Sequence, residues 1–116
     1  MAKVFGIHHL ELKPGVDVAE FERIVSDEFN ALPELAGWEL SIVKGERGEN
    51  IGKYVLIFEV ESLETRNRDH PSGGTFSPEL QKVFDTSSPT FDKLSSYLTT
   101  PLFKGGKFTD YVTVGK

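Results

Sequence analysis

Two adjacent histidines, His8 and His9, lie in the segment GIHHLEL near the start of the chain. A neutral imidazole carries one donor and one acceptor nitrogen, which suits a general base or a substrate-orienting group. Neighbouring side chains of a strand point to opposite faces, so the two rings diverge and cannot ligate one metal ion together. We expect His8 to face the interior as a candidate catalytic base, a hydrogen-bonded core histidine being the alternative. His9 should face a contact surface and form hydrogen bonds there.

The third histidine, His70, begins the sequence HPSGG within a polar passage. A loop with glycine hinges can close over the mouth of a pocket, so His70 is the second candidate catalytic residue. The alternative is a solvated loop histidine. A two-histidine, one-carboxylate iron site made by His8, Asp69 and His70 is a further alternative, because this ligand set suits non-haem iron. We expect no metal ion and no cofactor.

Other polar side chains could contact a bound molecule. Arg66 and Arg68, close to His70, could attract a carboxylate or phenolate, or could be solvated surface charges. Four aromatic residues have polar tips or large apolar rings that could serve a ligand or simply the core: Tyr54, Tyr97, Tyr111 and Trp38.

Alternating apolar residues predict four strands, over 3–12, 38–44, 53–60 and 107–114. In the first strand, His8 shares a face with Leu10 and Leu12, whereas His9 shares the other face with the remaining apolar residues. Asp17, followed three residues later by Glu20, predicts the start of a helix. The apolar stripe of this helix has three- and four-residue spacing, and a proline ends it near Leu32.

Two Ser-Pro pairs later in the chain each resemble an N-cap followed by proline at the first helical position. Ser77-Pro78 predicts a short helix through Phe84. Ser88-Pro89 predicts a second and longer helix, which ends at a later proline. The two pairs therefore predict two separate helices.

The element order β-α-β-β-α-β predicts a single α+β domain over residues 1–116, with the ferredoxin-like split βαβ arrangement. Right-handed crossovers would place both helices on one face of a four-stranded antiparallel sheet. The other face carries apolar residues among polar ones, and a second copy could cover it sheet to sheet, forming a homodimeric α/β barrel. The alternative is a monomer whose outer residues only satisfy strand propensity. These outer residues are Phe5, Ile7, Val43, Val55, Ile57 and Tyr111.

Composition narrows the function classes. The net charge is −5 and the pI is near 5.2, which argues against nucleic acid as a partner, because nucleic-acid binding needs a basic stripe. The chain has no cysteine, which excludes disulfides and thiolate sites. Charged residues interrupt every apolar run, so we expect neither a signal peptide nor a membrane partner. We expect a cytoplasmic protein.

The segments HHLELK and FEVESLET and the later pair His70-Pro71 resemble the dimeric α/β-barrel superfamily. The chain looks most similar to stress-responsive barrel proteins and olivetolic acid cyclase-like polyketide cyclases, and more distantly to antibiotic-biosynthesis monooxygenases. The resemblance implies a pocket between sheet and helices, lined by the strand-one histidine, here His8, and cofactor-free cyclase or monooxygenase chemistry. The cyclase pattern has a second histidine two residues after the proline, where this chain has Gly73. His70 is then the candidate to replace it.

Together with this pattern of residues, the resemblance implies a protein that binds or converts a small hydrophobic phenolic or polyketide-like molecule between the sheet and the helices. His8 would polarise or deprotonate the phenolic or enolic substrate, together with His70. The alternative is a non-enzymatic dimeric binding or structural protein in which phenylalanines fill the same space. The predicted pocket walls are Leu10, Leu12, Phe21, Val25, Phe29 and Leu94.

Overall fold

The computed structural model describes residues 2–71, 75–103 and 108–115. The described residues form a four-stranded antiparallel sheet with helices, so the α+β class is confirmed. The strands are β1 (Val4–Leu10), β2 (Trp38–Lys44), β3 (Tyr54–Val60) and β4 (Phe108–Val112). The helices are α1 (Val18–Asp27), α2 (Leu63–Asp69) and α3 (Pro78–Ser95), and a 3-10 turn (Phe29–Ala31) follows α1.

The strands lie in the order β2-β3-β1-β4, with every neighbouring pair antiparallel. His8 lies opposite Leu56 of β3 and Phe108 of β4. Residues directly opposite one another share a face of the sheet, so His8 shares its face with the fully buried Leu56. Phe21 of α1 packs in the same core cluster as Leu56. The predicted inward direction of His8 is therefore confirmed.

Helix α1 begins as predicted but ends earlier. The Asp17 carboxylate accepts a hydrogen bond from the backbone N–H of Glu20 at 3.1 Å, which satisfies one free donor of the first turn. The helix ends at Asp27 rather than near Leu32, and the tighter 3-10 turn that follows buries Phe29. The apolar spacing through Phe29 and Leu32 does not distinguish a continued α-helix from this turn, because both place these residues toward the core.

The prediction of two helices from the Ser-Pro pairs is wrong, because α3 is one continuous helix that contains Pro89. Ser77 caps it, accepting from the backbone N–H of Leu80 at 3.1 Å. Proline inside a helix removes one backbone hydrogen bond, but Pro89 is exposed and water can reach the carbonyl left free. Phe91 and Leu94 beyond the proline pack into the main core, and this packing favours a continued helix.

A further helix, α2, lies in the polar passage that leads to His70. Ser62 caps it by accepting from the backbone N–H of Thr65 at 3.1 Å. At the other end, Asp69 is buried and hydrogen-bonds Ser77, the cap of α3. The element order is therefore β-α-β-β-α-α-β over the described residues.

The core lies between the sheet and the helices in two clusters. The larger contains Phe21 and Ile24 of α1, Leu56 of β3 and Leu94 of α3, and the smaller centres on Trp38. On the opposite face, Val43 and Tyr111 are 42% and 56% exposed, and no residue of that face belongs to either cluster. Within the described ranges, no helix has the length and apolarity needed to cross a membrane.

Candidate functional site

A cavity of about 230 Å³ lies between the sheet, the turn that follows α1, and α3. Its mouth is bordered by exposed polar residues, among them Asn30 and Glu34. Its deeper walls are aromatic and aliphatic, which makes the cavity suitable for an apolar molecule. The deeper walls include Phe29, Trp38, Leu40, Phe58, Phe84 and Phe91.

Ser87 of α3 is the buried polar residue in this lining. It is 0% exposed, and its hydroxyl oxygen has no hydrogen-bond partner among the described residues. A buried hydroxyl without a partner costs free energy, so its presence among apolar walls needs an explanation. Ser87 is not among the residues predicted from the sequence, because the first predicted helix ends at Phe84 and the second begins at Ser88. Only in the continuous helix α3 does Ser87 lie on the same side as Phe84 and Phe91, three and four residues away.

Most of the predicted pocket walls belong to the packed core instead. Phe29 lines the cavity, whereas Phe21 and Leu94 are 0% and 1% exposed within the main core cluster. The Phe21 ring contacts the rings of Tyr54 and Tyr97, at centroid distances of 5.2 and 6.0 Å. The other three predicted wall residues pack against the same cluster: Leu10, Leu12 and Val25.

His8 lies on the helix-facing side of the sheet, but it does not line the cavity. Its ring stacks on Phe108 at 5.0 Å and meets Phe58 edge-on at 5.1 Å. Burial lowers the pKa of His8 below its ordinary value of 6.5, and the negative charge of Asp110 opposes this effect. A neutral imidazole is therefore favoured, as general-base chemistry requires.

Asp110 occupies an unusual position on the same face of the sheet. It lies opposite Gly6 of β1, and its carboxylate accepts a hydrogen bond from the Arg66 guanidinium at 2.5 Å. A Cβ atom at Gly6 would lie 2.9 Å from a carboxylate oxygen of Asp110, so the glycine makes room for this charge. This pair was not predicted, although alternation along β4 places Asp110 on the same face as Phe108 and Val112.

His70 lies at the C-terminal end of α2. Its backbone N–H donates to the carbonyl of Arg66 at 2.7 Å, and its ring packs against Phe76 at 4.8 Å. Its Nδ1 atom is buried and has no hydrogen-bond partner among the described residues. His70 does not line the cavity either. The glycine hinge predicted beside it, at 73–74, lies outside the described residues.

The ring of Phe103 contacts both His8 and the wall of the cavity. It approaches His8 at 6.1 Å, and it contacts three cavity-wall rings, those of Phe58, Phe84 and Phe91, at 5.6, 5.1 and 4.9 Å. Its backbone φ is +63°, a left-handed conformation that costs a residue with a Cβ about 1 kcal/mol or more. His8 therefore contacts the cavity only through neighbouring rings, those of Phe58, which lines it, and Phe103.

The two arginines near His70 are paired within the chain. Arg66 binds Asp110 as described, and Arg68 binds Asp69 at 2.8 Å. Asp69 is 2% exposed and also accepts hydrogen bonds from the Trp38 indole N–H at 2.9 Å and the Ser77 hydroxyl at 2.8 Å. Arg68 and the other donors together hold the pKa of Asp69 below its ordinary value. Among the described residues, no three histidine or acidic side chains are grouped to hold a metal ion, which removes the geometric basis for the iron site.

The remaining candidates serve the fold or face outward. The Tyr54 hydroxyl donates to Glu22 of α1, and Lys44 binds the same carboxylate at 2.9 Å. Burial, and then the hydrogen bond to Glu22, raise the pKa of Tyr54. His9 and Tyr111 are exposed on the outer face of the sheet, where they border a shared depression.

Comparison of the chain with protein-family models, curated proteins and solved structures finds no match in any of the three.

Proposed function

We propose that this protein binds one small, neutral aromatic molecule in the cavity between the sheet and the helices. The observation that carries the proposal is the cavity itself, with aromatic walls and a polar mouth. Apolar cavities in tightly packed proteins lose contacts along their walls, so an occupant of matching shape stabilises the protein.

The volume selects the size of the occupant. Benzene binds in an engineered apolar cavity of roughly 150 Å³, whereas pockets for drug-sized ligands measure roughly 300–1,000 Å³. A cavity of about 230 Å³ therefore suits a single ring with small substituents. This narrows the predicted phenolic or polyketide-like class to its one-ring phenolic members.

The charge at the mouth selects the charge of the occupant. Glu34 borders the entrance, whereas alternation along β2 points the Glu39 side chain to the opposite face of the sheet, and the whole chain carries a net charge of −5. Like charges at an entrance disfavour anionic molecules such as benzoates and phosphates. A phenol is neutral at pH 7, because its pKa lies near 10 in the unperturbed state.

The catalysis predicted for His8 and His70 requires that an imidazole reach a molecule bound in the cavity. A neutral His8 could deprotonate a phenolic or enolic group only if the adjacent rings of Phe58 and Phe103 moved, because the imidazole packs against these rings and does not itself line the cavity. His70 as a partner in catalysis remains a prediction. Without such a movement the protein is a binding protein, and the filled space beside His8 favours this second, non-enzymatic function.

The proposed fold is ferredoxin-like, and the proposed assembly is a homodimer formed sheet to sheet. The order β2-β3-β1-β4 and the core on one face support the fold. Half-buried Phe5, Ile7 and Ile57, together with exposed Tyr111, support the assembly, because a second copy would remove these apolar side chains from water. A cytoplasmic location remains a prediction.

Ligand titration monitored by Trp38 fluorescence tests the binding proposal. Trp38 is the one tryptophan of the chain and lines the cavity, so an occupant should change its emission. Phenol and toluene should produce saturable changes, whereas benzoate should not. Val83→Phe, which places a ring in the cavity wall, should abolish the changes, and Val18→Phe at an exposed site of α1 should keep them.

Crystals of the wild type soaked in phenol or toluene give the second readout, because the ring should appear between Trp38 and α3. The proposal is wrong if neutral one-ring molecules cause no saturable change in the wild type. It is also wrong if Val83→Phe binds them as well as the wild type while remaining folded by circular dichroism.

A further inference from the structure

We infer that the Ser87 hydroxyl is the specificity-determining contact of the cavity, selecting single-ring molecules that carry a hydroxyl group over purely hydrocarbon ones. This inference rests on the proposed function and names the class of ligand within it. It depends on two observations that concern one residue: Ser87 lines the cavity, and its hydroxyl has no hydrogen-bond partner among the described residues.

The burial of Ser87 distinguishes it from the other polar residues of the lining. Ser87 is 0% exposed. Asn30 and Glu34 are exposed at the mouth, Glu39 is exposed on the opposite face of the sheet, and Ser41 is half-buried, so water can satisfy their polar atoms. Inside the cavity, Ser87 is therefore the side chain whose hydrogen bonding a ligand could complete.

The position of Ser87 in α3 places its hydroxyl near the ring of an occupant. Phe84 and Phe91, three residues before and four residues after it, also line the cavity, so all three lie on the same side of the helix. A ring packed against these two phenylalanines would bring a substituent close to position 87. Because Ser87 is 0% exposed, its hydroxyl would have to turn toward that substituent by rotation about the serine Cα–Cβ bond to another staggered rotamer.

The chemistry of a hydroxyl pair favours a phenol. Serine offers one donor and two acceptor lone pairs, and a phenol hydroxyl is likewise both donor and acceptor. Binding a hydrocarbon leaves Ser87 without a partner, whereas binding a phenol satisfies it. A site with a buried polar group discriminates against ligands that cannot pair with it.

The test compares phenol with toluene, which has a similar shape and no hydroxyl, by isothermal titration calorimetry on the full chain. Ser87→Ala should weaken phenol binding by about 3- to 10-fold, the effect of one net hydrogen bond. It should leave toluene binding unchanged or tighter. Ser88→Ala, an identical change at the neighbouring exposed residue, should alter neither.

A second variant guards against a general effect on folding. Ser87→Cys keeps a side chain of similar size but replaces the hydroxyl with a weak donor, so its loss of phenol affinity should be smaller than that of Ser87→Ala. Without ligand, Ser87→Ala should unfold at the same or a higher denaturant concentration than the wild type, because it removes an unsatisfied buried group.

The outcomes separate this inference from the proposed function. If phenol and toluene both bind and Ser87→Ala changes their affinities equally, the role of Ser87 is wrong and the binding proposal stands. If neither molecule binds to the wild type, the proposed function is wrong and the inference falls with it. Weaker phenol binding in Ser87→Ala, with toluene unaffected, supports both.

Discussion

Replacing Asp69 with alanine should destabilise the fold by about 3–5 kcal/mol, the loss of two hydrogen bonds to a charged group. Asp69 lies at the end of α2, where its 2% exposed carboxylate joins three parts of the chain. It accepts hydrogen bonds from the Trp38 indole at 2.9 Å and from the Ser77 hydroxyl at 2.8 Å. Without the carboxylate, the buried indole N–H and the half-buried serine hydroxyl both lose their partner.

The magnitude follows from these two donors. A hydrogen bond to a charged group contributes about 1.5–3 kcal/mol, so two of them sum to about 3–6 kcal/mol, less any relaxation. The Arg68 pair adds little, because the Arg68 side chain is 61% exposed and exposed ion pairs are weak. The loss would be a large fraction of the roughly 5–15 kcal/mol that stabilises a typical domain.

Urea unfolding followed by Trp38 fluorescence and circular dichroism measures the effect. Asp85→Ala is the matched control, because Asp85 is exposed on α3 and accepts from the side chain of Gln81. It should change the free energy of unfolding by less than about 0.5 kcal/mol. A loss below about 1 kcal/mol for Asp69→Ala would refute the reasoning, since a buried carboxylate with two such donors cannot be that weak.

The pH dependence provides an independent check. The native state holds the pKa of Asp69 below its ordinary value of 3.8, so the unfolded chain takes up this proton at higher pH than the folded one. The stabilisation is therefore complete above about pH 4 to 5 and declines as the pH falls through the lowered native value. The difference between the wild type and Asp69→Ala should narrow in acid. If the difference in the free energy of unfolding stayed constant into strong acid, the Asp69 carboxylate would not be stabilising the fold in its charged form.

Three further predictions concern the histidine, the glycines and the sheet face. Phe103→Ala should raise the pKa of His8 toward 6.5, because burial is the main cause of its lowering, and NMR titration of the imidazole would show this. An unchanged pKa would mean that this ring does not keep water away. Gly45→Ala should destabilise more than Gly6→Ala in urea unfolding, because its Cβ would clash with the backbone oxygen of Asn50, whereas at Gly6 the movable Asp110 carboxylate lies at 2.9 Å. Equal losses would contradict this ranking. Ile57→Lys on the outer face should convert the proposed homodimer to a folded monomer, as measured by light scattering, and an unchanged mass would count against the sheet-to-sheet assembly.

The local sequence is enough to predict where the strands lie and which histidine faces inward. Alternation predicted residues 38–44 as a strand, and β2 has these same bounds. It also placed His8 beside the core and His9 on the exposed face, because neighbouring side chains of a strand point in opposite directions. Both features depend only on the two-residue alternation of side chains along a strand, so they can be predicted without knowing what packs against the strand.

The two Ser-Pro pairs show where local signals stop being sufficient. Ser77 and Ser88 have the same neighbour and the same capping chemistry, yet Ser77 caps α3 and Ser88 lies inside it. The difference arises because Phe91 and Leu94 continue to pack against the core beyond Pro89. A capping preference of about 1 kcal/mol is smaller than the burial of two large side chains.

The candidate site, the cavity, was harder to predict from the sequence than the strands and helices, because it depends on tertiary structure. Helical and strand periods identified residues that face the core, but they could not distinguish Phe21, which is packed on every side, from Phe29, which borders a cavity. Whether space remains between two layers depends on how side chains from distant segments meet, as the ring of Phe103 does beside His8. The sequence by itself therefore determined the direction of each side chain relative to its own strand or helix. Only the tertiary structure decided which inward side chains fill the interior and which leave Ser87 beside an open volume.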